Sequence, residues 1–312
     1  MQAIQEAPAQ NQGRRQRSEG APDDKRRLAL LQRIGLFGED TKGAIIARAL
    51  TFTEIGEAYA LVHDAFVEKE YMLPRASGMR VRPFETDSST ATFVARSDGQ
   101  VVGCQSLVVD SPDIGLPSDK AFCREIDELR RNGALVCEAT NEAVAARFRK
   151  SAVPTELMRC MFIHARSIGC QELITTVSPG HQSFYEFIGF EQVSPIRSYS
   201  DEIEDPVVVM CWHLEPLEAK WRGVDLDDDT MDAFWKGFCV ERNPYAEHVE
   251  GWSRLAEGLF GDLGEVAAFF ARCPELILGS TPQELDAVRQ RLGQVAFAMT
   301  AARLHVPMAR SA

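Results

Sequence analysis

The chain has 312 residues, 45% of them hydrophobic, with eight cysteines and a formal net charge of −12. That length suits one large or two smaller domains, and the apolar fraction suits a packed core. The acidic balance speaks against a nucleic-acid partner, and no run approaches the roughly 20 apolar residues of a membrane span.

The N-terminus carries no apolar signal-peptide core, and the cysteines form neither Cys-x-x-Cys nor a Cys/His group at zinc-ligand spacing. Free thiols, no bound metal and a cytoplasmic location are therefore expected. Residues 1–27 are rich in Gln, Ala, Gly, Arg and Asp and have almost nothing to bury, so they read as a disordered arm. Residues 28–217 read as one domain of alternating strand and helix patterns. Ile45–Leu50 is a first strand. Thr53 or a neighbour caps a helix whose apolar face carries Ile55, Tyr59, Val62 and Phe66. Two β-rich runs flank Asp98-Gly99, a hairpin signal. Leu135–Ala139 is a fourth strand, Pro154–Ile168 a helix stopped by Gly169, and Leu173–Val177 a fifth strand. A break at Pro179-Gly180 precedes a short helix through Tyr185, which Gly189 can end in a left-handed conformation while Phe190 enters the core. Pro206–Leu214 is a last strand. Residues 218–312 are acidic and read as helices at Asp229–Val240, His248–Leu259, Leu263–Ala271 and Pro282–Leu304, with no chemical motif. They are expected to pack on the domain before them or on a second subunit of a homo-oligomer.

Ser178-Pro179-x-His181 with Phe184-Tyr185, Tyr185-x-x-x-Gly189-Phe190, Cys137-Glu138-Ala139-Thr140, Gly115-Leu116-Pro117 and the Ala58–Phe66 helix follow one another in a set order. That ordered set, between about Ile45 and Leu214, resembles the N-acyl amino acid synthase branch of the GNAT superfamily, relatives of the acyl-homoserine lactone synthases. The resemblance implies an α+β fold, a GNAT-like mixed β-sheet flanked by helices, here with a C-terminal helical appendage. It also implies a splay between the Glu138 strand and the Leu173–Val177 strand, where a thioester pairs with exposed strand groups. Two positions depart from the family pattern. Thr140-Asn141 stands where Ser-Arg is usual. In the phosphate loop Arg147-Phe148-Arg149-Lys150-Ser151-Ala152, Lys150 stands where glycine is usual, which points away from a standard coenzyme A mode.

The implied activity is N-acyl transfer of a fatty acyl chain from an acyl carrier protein, or from acyl-coenzyme A, to the amine of an amino acid or similar small molecule. No tightly bound cofactor is expected, since the acyl-phosphopantetheine arrives as substrate. Glu138, on an apolar strand, is the candidate general base, because burial raises a carboxyl pKa; the plain alternative is a carboxylate that holds the sheet through an arginine. Tyr185 is the candidate acid for the departing thiolate, or else a packing hydroxyl. Arg147, Arg149, Lys150, Ser151 and Ala152 at a helix start form the expected donor-phosphate or carrier-protein site. Thr140, Ser178 and His181 are expected to orient substrate. Cys137 is set aside as a nucleophile, being a common type of buried strand residue. An acetyl-coenzyme A-dependent acetyltransferase and a non-catalytic acyl-binding protein remain as alternatives.

Overall fold

The first strand, β1 (Ile45–Arg48), leads into a helix, α1 (Phe52–Glu68), whose start is fixed by a reciprocal cap. The Thr51 hydroxyl accepts the Glu54 N–H at 3.2 Å, and Glu54 Oε2 accepts the Leu50 N–H at 2.9 Å. The cap is Thr51 rather than Thr53 because only Thr51 has a glutamate three residues on. The computed structural model describes residues 40–131, 133–199, 205–216, 238, 240, 243–278 and 280–305. The expected arm at 1–27 and the expected helix Asp229–Val240, apart from Phe238 and Val240, lie outside them.

Strands β2 (Ala91–Ser97) and β3 (Gln100–Val109) form a hairpin whose turn residues Asp98 and Gly99 both take positive φ, 53° and 78°. That is the backbone a two-residue hairpin of matching twist requires. There follow α2 (Asp119–Arg130), β4 (Val136–Val144), α3 (Val153–Ser167), β5 (Glu172–Val177) and α4 (Gln182–Phe187). Two short strands, β6 (Glu191–Gln192) and β7 (Arg197–Ser198), precede β8 (Pro206–His213). The sheet runs β1-β2-β3-β4-β5-β8-β6, with β7 also on β8. Among the described strands only β4 and β5 are parallel; the other pairs are antiparallel. This is a GNAT-like α+β fold.

Each face of the sheet has its own cover. Val153, Leu157, Cys160 and Met161 of α3 bury against Phe93, Val102 and Leu107. The approach is close enough that a Cβ on Gly103 would stand 3.0 Å from Val153 Cγ1. On the opposite face Ile55, Tyr59 and Val62 of α1 cover Val94, Cys104 and Ala143, while Phe122 and Ile126 of α2 cover Val108, Val136 and Ile174.

Three C-terminal helices are described: α5 (Ala246–Glu257), α6 (Leu263–Phe270) and α7 (Pro282–Ala302). Val266, Phe269 and Phe270 of α6, with Val288 and Leu292 of α7, enter the α1 core. The appendage therefore continues the hydrophobic core rather than hanging from it. Among the described residues no helix is long and apolar enough to cross a membrane.

Candidate active site

Two irregularities in the sheet create the site. Parallel pairing of β4 with β5 runs from Val136↔Glu172 to Ala139↔Thr175 and then ends; β4 continues along β3, and β5 continues along β8. The expected splay is present. On its other edge β4 carries a bulge: Cys104 faces Ala143 but Ser106 faces Thr140, so Asn141 and Glu142 together oppose Gln105. Asn141 takes φ 53°, unusual for a residue other than glycine. β4 runs five residues past the C-terminal end of the expected Leu135–Ala139, carrying the bulge within that extension.

A cavity of about 630 Å³ lies in the splay. Of the residues singled out in the sequence, Glu138, Thr140, Arg149, Ser178, His181 and Tyr185 line it. Arg147, Lys150, Ser151 and Ala152 do not. Arg147 is exposed and pairs with Asp98 at 3.5 Å, on the side of the β2–β3 turn. Ser151 and Ala152 are buried at the start of α3. The Ala152 N–H donates to the Asp40 carbonyl at 3.0 Å and the Val153 N–H to Ser151 Oγ at 3.3 Å. With Pro154 next, which has no N–H, little of this helix start is left to cradle a phosphate.

Glu138 is 2% exposed. Its Oε1 accepts from Ser118 Oγ at 2.7 Å and its Oε2 from the Ser118 N–H at 2.9 Å. Ser118 Oγ also hydrogen-bonds Thr176 Oγ1 across the splay, and the Tyr199 hydroxyl joins the same group. Burial pushes the Glu138 carboxyl up to about 7, against the two Ser118 bonds and the Arg82 charge, which favour the ionised form. A carboxyl held there can take or give a proton near neutral pH.

Tyr185 hydrogen-bonds Glu142, the second bulge residue. Burial and that neighbouring carboxylate hold the phenol well above its ordinary range, so it stays protonated. Burial raises the Glu142 carboxyl too, against Lys69 and the Tyr185 bond, although its side chain is open to the water of the cleft. The ring is positioned by a chain of aromatics: Tyr185 edge-on to Phe190 at 5.2 Å, Phe190 stacked on Trp212 at 4.1 Å, and Trp212 Nε1 donating to the Ile188 carbonyl at 3.0 Å. Gly189 has φ 97° and Phe190 is 4% exposed, the helix stop and core plug that the motif requires. Ser178 Oγ hydrogen-bonds His181 Nδ1 at 2.9 Å, fixing the ring at the cavity rim.

Ser118, Glu142, Tyr199 and the cluster of Arg80, half-buried Arg82 and Glu85 have no counterpart in the sequence reading, and Asn141, noted there as a departure from the family pattern, joins that cluster. Arg82 Nη2 meets Glu85 Oε1 at 2.5 Å, and its own N–H meets Glu85 Oε2 at 2.6 Å. Asn141 Nδ2 donates to Glu85 Oε1 at 2.9 Å, and Arg80 Nη1 donates to Asn141 Oδ1 at 2.5 Å. Ser118 had a usable signal, since Pro117-Ser118-Asp119 ahead of an amphipathic run marks a helix start. Away from the cavity, Glu172 Oε2 accepts from His213 Nδ1 at 2.6 Å and from Cys211 Sγ at 3.3 Å, three metal-ligand types that spacing rules do not join because they sit on two strands.

The family model for the N-acyl amino acid synthase FeeM matches residues 57–213, half of the chain. The chain belongs to the FeeM family of N-acyl amino acid synthases. Its members are N-acyltransferases, and the matched segment spans α1 to β8, every strand of the cavity included. Among solved structures, FeeM from uncultured soil microbes shares 19% identity at a TM-score of 0.50, over 56% of this chain and 93% of that one. The acyl-homoserine lactone synthase LasI shares 16% over 54% and 87% at 0.43, and BjaI, a CoA-dependent acyl-homoserine lactone synthase, 16% over 62% and 99% at 0.44. At 19% identity the likeness to FeeM is one of fold. Comparison with curated protein sequences finds no match. The matched segment ends at His213, so α5, α6 and α7 lie outside it.

Proposed function

We propose that this chain moves a fatty acyl group from a carrier-protein or coenzyme A thioester to the amine of an amino acid or similar small molecule. The observation that carries the reading is Glu138, a carboxyl near neutral pKa at the point where β4 and β5 part. The thioester enters the splay, its pantetheine amides along the open edge of β4 past Ala139. The amine nitrogen attacks the thioester carbonyl carbon. A proton passes from nitrogen to Glu138, directly or through water; the C–S bond breaks as the C–N bond is completed, and the Tyr185 hydroxyl donates to the departing sulfur. Because burial makes that phenol a weak acid, its part is hydrogen-bond donation to the thiolate, with the final proton drawn from the water-open cleft.

The start of α3 supports a carrier protein over free coenzyme A as donor. Arg149 alone of the expected phosphate set reaches the cavity, while Arg147 and Lys150 stay on the surface, where an acidic partner can meet them. Native mass spectrometry of the purified chain tests the class of reaction. A bound long-chain N-acyl amino acid is the expected finding; an acetylated amine with coenzyme A would point to an acetyltransferase instead.

A further inference from the structure

Glu172, Cys211 and His213 form a group that the acyl-transfer chemistry does not use, and none of the three lines the cavity. The sheet register builds it. Cys211 and His213 stand two residues apart on β8, so both side chains leave the same face. Glu172 of β5 is the cross-strand partner of His213, and Glu191 of β6 is the cross-strand partner of Cys211. A strand bearing Cys and His is thus flanked by a carboxylate on either side. The donor atoms converge: Glu172 Oε2 is 2.6 Å from His213 Nδ1 and 3.3 Å from Cys211 Sγ, and one atom from each residue lies within 4.8 Å of the others. Tetrahedral zinc ligands, at bond lengths of about 2.0–2.3 Å, stand about 3.3–3.7 Å from one another. The trio brackets that span.

Two further features suit a metal. His213 Nε2 faces Glu191 Oε2 at 3.8 Å, so a carboxylate stands on the ring nitrogen that the trio leaves over, the kind of partner that orients a ligating imidazole. Exposure is graded: Cys211 is buried, while Glu172 and His213 are half-buried, which gives the group an inner wall and an open side for an entering ion. We propose that Glu172, Cys211 and His213 bind one zinc ion, with water as the fourth ligand. Thiolate together with imidazole suits zinc, whereas magnesium and calcium take oxygen ligands. Binding forms bonds from zinc to Sγ, Nδ1 and a Glu172 oxygen; the thiol proton passes to solvent, and the ring proton sits on Nε2, toward Glu191. Thiolate and carboxylate together balance the charge of the ion. The ion ties β5 to β8 at the end of β5 away from the splay, so its presence is read as stability. This departs from the metal-free expectation of the sequence, which rests on spacing within single segments, and it stands apart from the acyl-transfer reading.

Titration of the full chain, first dialysed against a chelator, with zinc chloride and with cobalt chloride tests it. One zinc per chain should bind with a Kd of about 1 μM or tighter. Free zinc at about 100 times Kd should raise the Tm by roughly 5 °C. Cobalt in the same place should show the absorption band of a thiolate ligand. Cys211→Ser and His213→Gln should weaken zinc binding roughly 100-fold, and Glu191→Gln, which removes the outer partner, about 10-fold. Cys123→Ser, whose thiol is the exposed one among the described cysteines, should change nothing. Thermal unfolding without metal verifies the fold of each variant, and the wild-type measurements need no variant. A wild-type chain that takes up no zinc at micromolar concentration, or whose cobalt form lacks the thiolate band, overturns the site. So does unchanged affinity in folded Cys211→Ser or His213→Gln, or loss of the zinc in Cys123→Ser.

Discussion

Glu138 is a carboxyl that folding works against. In the unfolded chain it titrates near 4.5, and in the folded chain near 7. The folded state therefore binds its proton more tightly, and the favourable contribution present below pH 4.5 is lost as pH rises through about 7. Glu138→Gln removes that slope. Between pH 4.5 and 8 the wild-type chain should lose stability on the order of 3 kcal/mol relative to the Gln variant, read from urea midpoints at several pH values. Parallel profiles would mean the carboxylate is already ionised in its burial site. Glu138 and Tyr185 were legible because each sits inside a local motif, an acid within an apolar strand and a tyrosine four residues before Gly-Phe. Their partners were not. Ser118 lies 20 residues from Glu138 and Arg80 lies 61 from Asn141, pairings that exist only after the sheet has formed.

At the scale of elements, strands and helices were legible from periodicity and caps, and Thr281-Pro282-x-Glu284 marked the start of α7, where the Thr281 hydroxyl accepts the Glu284 N–H at 3.2 Å. The β4 bulge was not legible, because Asn141-Glu142 in a strand-like run gives no sign that one residue is extra; only the register against β3 shows it. The C-terminal helices read as a featureless appendage because their connection to the site is a long-range ion pair. Arg291 of α7 meets Asp87 at 2.7 Å and Asp113 at 2.8 Å, and Asp87 follows directly on the 3-10 turn Pro83–Thr86 that carries Glu85. Arg291→Met should destabilise the chain by about 1–3 kcal/mol, since it leaves half-buried carboxylates without their cation. In a double-mutant cycle with Asp87→Asn the losses should be less than additive. Additive losses would show that α7 and the 3-10 turn are held independently.

For the whole molecule, the open question is what approaches it. A chain of net charge −12 repels an acidic protein at long range, so the proposed carrier-protein donor needs a local basic patch, and Arg147, Arg149 and Lys150 are all exposed just ahead of α3. Reversing the charge of Arg147 and Lys150 should raise the KM for acyl-carrier-protein donors roughly 10-fold or more, less so at high salt, and leave a pantetheine-only donor little changed. An equal loss with both donors would place these residues in the fold or at the phosphate. The composition gave the absence of a long apolar span and the domain-sized core, but net charge conceals a patch, and the α3 start shows its cations dividing between the cavity and the surface.

The measurement that bears most directly on the account is a single-turnover reaction of the chain with a defined acyl thioester and an amino acid, following free thiol and N-acyl product together. The account predicts one amide for each thiol released, a rate that rises with pH through about 7 as Glu138 ionises, and a fall of roughly 10²–10⁴ in Glu138→Gln. Thiol released without amide, or an undiminished rate in folded Glu138→Gln, would contradict it.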